Sequence, residues 1–106
     1  MSEQVSWSRN SFFITEEKKY KYLGGYLTID DFKIRIPSIG LKRKFTTITL
    51  LSIFEINEVY INDSYLLILH FEGGKRNISS NLMSKKDEYL EVKKLILIKS
   101  NNNNIS

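Results

Sequence analysis

The residues with the chemical range to do catalysis are few in this chain and poorly placed for it. The lone histidine, His70, sits inside the apolar run Tyr65 to Phe71, and there is no cysteine. A nucleophile needs a base oriented beside it, and no serine, threonine or lysine here stands in such a constellation with His70. His70 is expected to be a partly buried structural imidazole paired with a backbone group. The acidic pairs Glu16-Glu17, Asp30-Asp31 and Asp87-Glu88 cannot act as paired carboxylates on strands, where adjacent residues face opposite sides. They read as solvated turn and strand charges. Gly24-Gly25 and Gly73-Gly74 lack the following helix N-terminus that makes a glycine-rich loop a phosphate cradle. The expectation is therefore not an enzyme, with no metal and no cofactor.

The cations offer a different chemistry. Lys42-Arg43-Lys44 lies beside Ile39 and Leu41, and a second cluster is Lys75-Arg76. A loop with apolar tips and cationic shoulders can dip into a membrane interface while its charges meet anionic headgroups, each contributing on the order of 1 kcal/mol. Arg43 and Arg76 could grip a phosphate bidentately. Charge runs are also commonly just solvated loops. The net charge of +4 biases association toward anionic surfaces without being a nucleic-acid signature. Tyr20, Tyr22 and Tyr26 with their neighbouring lysines resemble a base-stacking platform in composition, yet alternating tyrosines usually serve sheet packing. Nucleic acid is not the expected partner.

The elements that must position these groups are mostly strands. A chain of 106 residues fits one domain with one core and needs no staples. Phe12 to Thr15 and Lys18 to Leu23 suggest one long first strand, Gly24-Gly25 a tight hairpin, and Tyr26 to Ile29 the next strand. Asp30-Asp31 is a two-residue turn. Phe32, Ile34 and Ile36 then alternate with Lys33 and Arg35, predicting a half-buried strand with a basic outer face. Pro37 is expected to end that pairing. Phe45 to Leu50 resumes the alternation with Ile48 and Leu50 inward, and Ile53, Ile56 and Val59 carry it to Tyr60. After the turn Asn62-Asp63-Ser64, Tyr65 to Phe71 is apolar on both faces and reads as a central strand. Lys75 to Ser80 is a polar edge strand.

The period changes at the end. Ser84 is a good N-cap, Asp87, Glu88 and Glu91 suit the start of a helix dipole, and lysines 93, 94 and 99 suit its end. Tyr89, Val92, Leu95 and Ile96 form one stripe at helical spacing, predicting an amphipathic helix over 84–99. Residues 1–10 read as a flexible lead-in, 11–99 as the domain, and 100–106, with its four asparagines, as a disordered tail. The longest apolar runs fall far short of a transmembrane segment, which needs about 20 residues. With a polar N-terminus and no cysteine, the reading is cytoplasmic.

Gly25-Tyr26-Leu27-Thr28-Ile29 followed by Phe32-Lys33-Ile34-Arg35-Ile36 resembles the second and third strands of the GRAM and GLUE branches of the pleckstrin-homology superfold. Ile48-Thr49-Leu50-Leu51-Ser52-Ile53-Phe54-Glu55-Ile56 resembles the segment that follows in those domains, and the closing helix stands where they have one. The resemblance spans roughly Ser11 to Ile98. It implies an α+β, mostly β fold: a seven-stranded antiparallel barrel or sandwich capped by one C-terminal helix. It also implies that the loops at Gly24-Gly25, Ile39 to Lys44 and Glu72 to Arg76 meet at one open end. The function so implied is a non-catalytic adaptor, cytoplasmic and peripheral at membranes. It would bind anionic lipid headgroups of the phosphoinositide type through Lys42, Arg43, Lys44, Lys75, Arg76, Lys33 and Arg35, with Ile39 and Leu41 as apolar contacts. The alternative is protein recognition, for example GLUE-like ubiquitin binding in ESCRT-type membrane trafficking. No clear Lys-xn-Arg-x-Arg run accompanies the resemblance, so headgroup-specific capture is not part of what it implies.

Overall fold

A computed structural model describes residues 17–38 and 44–101. In chain order these form β1 (Lys18–Tyr22), β2 (Gly25–Ile29), β3 (Lys33–Ser38), β4 (Lys44–Thr49), a 3-10 turn (Leu50–Ser52), β5 (Ile53–Ile61), β6 (Ser64–Phe71), β7 (Gly74–Ser79), a second 3-10 turn (Ser80–Leu82) and the helix α1 (Lys86–Lys99). The strands form two antiparallel meanders, β1-β2-β3-β4 and β5-β6-β7. They stack as a four-plus-three sandwich, not a closed barrel, and α1 caps it.

Strand alternation decides what is buried. Leu27 and Ile29 of β2, Ile34 and Ile36 of β3 and Ile48 of β4 face inward from the first sheet, while Ile56, Leu67, Leu69 and Ile78 face them from the second. Each such side chain contributes roughly 1.5–3 kcal/mol by leaving water. Ile53 and Ile56 lie three apart, which breaks a period of two, and a register shift between Ile53 and Glu55 resolves it. The extra residue of that bulge lets both isoleucines point into the core. Tyr89, Val92 and Ile96 close the layer from α1, with Leu95 and Leu97 packed beside them, so the helical stripe is as expected.

Several local expectations change. Phe32 is 66% exposed, because β3 begins only at Lys33 and Phe32 belongs to the turn. Asp30 holds that turn: its carboxylate accepts from the Phe32 N–H at 2.7 Å and the Lys33 N–H at 2.9 Å. It is therefore a buried structural acid and not a solvated charge. Pro37 does not end β3, since it pairs with Phe45 and Ser38 with Lys44. Val59, expected in the apolar series, faces outward.

Ser84 is not the helix cap. Its N–H donates to the Lys21 carbonyl at 3.1 Å, and the Leu23 N–H donates to Leu82 at 2.8 Å. Residues 82–84 thus run extended along the edge of β1, with Met83 bridged to Tyr22, and the helix starts only after Lys85. At the other end Ser100 is buried and its Oγ donates to the Ile96 carbonyl at 2.6 Å, closing the helix before the asparagines. Phe12 to Thr15, the lead-in 1–10, residues 39–43 and residues 102–106 lie outside the described residues. Among those described, no helix is long and apolar enough to cross a membrane.

Candidate anion-binding face

The outer face of the first sheet is built by the same alternation that fills the core. With Tyr20 and Tyr22 of β1 turned inward and buried, Lys19 and Lys21 must turn outward. Lys19 lies opposite Thr28, Thr28 opposite Arg35 and Arg35 opposite Thr47. Lys21 lies opposite Tyr26, and Lys33 opposite Thr49. The result is a surface of cations, threonines and two aromatics, Tyr26 and Phe45, which are 50% and 48% exposed, with one acid, Glu17, beside them. The Arg35 guanidinium sits over the Phe45 ring at 4.4 Å from its centroid, and the Lys19 ammonium lies 5.7 Å from that of Tyr26. Both are cation–π geometries that hold long side chains over an apolar floor.

A groove of about 530 Å³ runs down this face between Lys19, Tyr26, Arg35, Lys44 and Phe45, opening at Gly24 and Gly25. Its cause is a short seam. The β2–β3 ladder comprises only Thr28 with Arg35 and Ile29 with Ile34, whereas β3 and β4 pair along six residues. Toward its end β3 offers Pro37, which has no N–H to donate. The neighbouring turn comes close without pairing: a Cβ on Gly25 would lie 3.8 Å from the Pro37 Cβ.

The rim at the top of the groove brings together the flanks of three turns. Gly24 has φ +94°, a left-handed backbone that favours glycine, and a Cβ there would stand 3.4 Å from the Ser38 carbonyl. Lys44 pairs with Ser38. Arg76, from β7 of the other sheet, donates from Nη2 to the Pro37 carbonyl at 2.6 Å. The described flanks of the three expected loops thus meet at one end. Ile39, Leu41, Lys42 and Arg43 lie outside the described residues.

The expected cations divide into three groups. Lys33, Arg35 and Lys44 share one surface with the groove. Arg76 sits in register with Leu69, an inward position, and its Nε is enclosed without a partner. It ties one sheet to the other. Lys75 lies opposite His70 on the outer face of the second sheet, turned away from the groove. Lys19, Lys21, Tyr26 and Phe45 were not among the residues expected to bind an anionic lipid; from the sequence, Tyr26 and the lysines near it resemble only a nucleic-acid platform. Their signal was present in the alternation of Lys18 to Tyr22, which assigns faces once the buried tyrosines are known.

The opposite end is closed by ordinary structural electrostatics. Glu58 accepts from Tyr89 Oη at 2.7 Å and pairs with Lys93 at 2.9 Å, and Tyr20 Oη donates to Glu91. Burial, and then the carboxylate beside each, push the Tyr20 and Tyr89 phenols well above their usual range. At Asp30, burial acts to raise the carboxyl pKa, but the Phe32 and Lys33 N–H groups and the Lys33 ammonium outweigh it, and the net shift is downward. His70 is half-buried and bonds through Nε2 to the Asn57 carboxamide at 2.6 Å, so its partner is a side chain and not the backbone. Among the described residues no group of three acids or histidines is placed to hold a metal.

Compared with known proteins, the chain matches no family model, no curated protein and no solved structure. The arrangement of seven antiparallel strands in two sheets, followed by one C-terminal helix, is consistent with a pleckstrin-homology-like topology.

Proposed function

We propose that this chain is a non-catalytic pleckstrin-homology-like adaptor of the GRAM or GLUE kind, docking rim-first onto anionic, phosphoinositide-type membrane surfaces. The observation that supports it best is the continuity of Lys44 at the rim with Lys19, Arg35, Tyr26 and Phe45 along one groove. Half-exposed aromatics flanked by cations suit the headgroup layer, where rings bury an apolar body and ammonium groups stay hydrated. Arg35, resting on Phe45, extends the positive face behind the rim and adds to its long-range attraction for an anionic surface. Ile39, Leu41, Lys42 and Arg43, the contacts expected from the sequence, belong to the segment joining β3 and β4, whose described ends Ser38 and Lys44 lie at that rim.

Co-sedimentation with phosphatidylserine and phosphoinositide vesicles tests this. Binding that falls with salt, and falls again when Lys21, Lys42, Arg43 and Lys44 are changed together to glutamine, is the expected result. No sedimentation at low salt would remove the membrane reading. A second reading, a protein ligand such as ubiquitin, draws on one feature: a hollow of about 260 Å³ beside the start of α1, lined by Tyr60, Tyr65, Tyr89 and Leu90. Chemical shifts that move there on titration with ubiquitin, with vesicle binding absent, would favour it.

A further inference from the structure

The outer face of the second sheet carries a strip of apolar side chains along β5 and β6. Leu67 and Leu69 of β6 are buried in the core, so Leu66 and Ile68 turn outward, which is why the sequence is apolar on both faces of that strand. Around them on β5 stand Phe54, Val59 and Ile61, all exposed. Asn57 and Asn77 flank Ile68 in the next row, and Ser79 flanks Leu66, so the apolar groups form a strip rimmed by polar ones, the pattern of an interaction site. Charge appears only in one row across the sheet, where Glu55 on β5 lies opposite His70 on β6 and His70 opposite Lys75 on β7. Glu55 and Lys75 are both exposed and stand at opposite edges of the face.

That placement is self-complementary. We infer that this face is an isologous interface with a second copy of the chain, related by a two-fold axis running along β6. Such a rotation lays β5 of one copy over β7 of the other, as an isologous contact requires. Glu55 then meets the other copy's Lys75 twice, once on each side of the axis. The outward residues of β6, Leu66, Ile68 and His70, meet their own counterparts at the centre, and Asn57 meets the other copy's Asn77. Val59 covers the Ser79 row, because Val59, Leu66 and Ser79 share one line across the sheet. A two-fold axis running across the strands instead lays β5 over β5 and separates Glu55 from the other copy's Lys75. Nine residues of β5 by three strands give a face of about 30 Å by about 14 Å. The pair then buries about 800 Å², below the roughly 1,200 Å² at which stable specific interfaces begin, which suits only a weak, reversible dimer.

Sedimentation velocity on the full chain, from about 5 to about 500 µM, reads the equilibrium directly, with a dissociation constant expected in the tens of micromolar. Glu55→Lys alone, and Lys75→Glu alone, each turn two attractive contacts into repulsive ones and are expected to weaken the dimer about tenfold or more. The double variant E55K/K75E restores it to within about threefold of the parent. Ile68→Lys abolishes it, with circular dichroism confirming the fold. Because Glu55 and Lys75 are exposed, their variants keep the test valid if Ile68→Lys does not fold. A chain that stays monomeric throughout the range overturns the inference, whether the face is then solvated or covered by residues 1–16. A dimer that is indifferent to both single charge changes, or not rescued by the double one, overturns it equally.

Discussion

Rim-first docking makes the cations unequal, and the inequality can be worked out from the strand register. Lys44 pairs with Ser38 and Lys33 pairs with Thr49, so Lys33 stands five residues down β3 from the rim, about 17 Å at strand rise. Arg35 is three residues down, about 10 Å. With a screening length of about 8 Å at physiological salt, a charge at 10 Å retains roughly a third of its interaction with the membrane and one at 17 Å roughly a tenth. A basic residue at the surface is worth on the order of 1 kcal/mol, or about fivefold in partitioning. Lys44→Gln is therefore expected to weaken binding to phosphatidylserine vesicles about fivefold, Arg35→Gln less than twofold, and Lys33→Gln not measurably. Lys21, on the rim-side row with Tyr26, belongs with Lys44. Co-sedimentation at about 0.15 M salt resolves such steps. Equal losses for Lys33 and Lys44 would refute the rim-first pose in favour of the sheet lying flat. No loss for Lys44 would refute the electrostatic reasoning altogether.

Four further outcomes concern the frame that holds this face. Arg76→Met removes the tie between the sheets and is expected to lower stability by about 1–2 kcal/mol in urea denaturation, while changing vesicle binding less than Lys44→Gln does. Tyr89→Phe removes the hydroxyl bond to Glu58 and costs about 1.5 kcal/mol, as bonds to charged groups do. Because the folded pKa values of Tyr20 and Tyr89 are raised, their contribution is complete below the ordinary phenol value near 10. It is lost as pH rises through the folded values, so ultraviolet titration should show these phenols ionising together with unfolding. Asp30 has the opposite sign: its folded pKa is lowered, so its contribution is complete above the ordinary carboxylate value of about 4 and lost as pH falls through the folded one. Asp30→Ala should cost about 1 kcal/mol at neutral pH and converge on the parent in acid, as followed by pH-dependent urea melts.

The strands were legible because alternation is a local signal: Ile34 and Ile36 against Lys33 and Arg35 can be read in one direction only. The helix stripe of Tyr89, Val92 and Ile96 was legible for the same reason at another period. What failed depended on partners distant in sequence. Ser84 has every local mark of a cap, yet its N–H is taken by Lys21, some sixty residues earlier. Pro37 ends pairing only on the side where a donor is needed, and the side facing β4 tolerates it. Arg76 reads as a loop cation because the short sequence Gly-Lys-Arg gives no sign that the Pro37 carbonyl waits across the sandwich. The basic face was half visible: Lys33 and Arg35 came from the pattern, but Lys19 and Lys21 needed the burial of Tyr20 and Tyr22 to fix their direction.

Both sheets are meanders in which each strand pairs with its immediate neighbour along the chain, and this has a kinetic consequence. Hairpins of that kind can zip within microseconds, each closing only a short loop. The slow event must be the one that joins what is far apart in sequence, the meeting of Tyr22 with Met83 and the seating of α1 that follows from it. A truncation before Leu82 would accordingly leave rapidly forming hairpins that never consolidate, with their apolar inner faces open to aggregation.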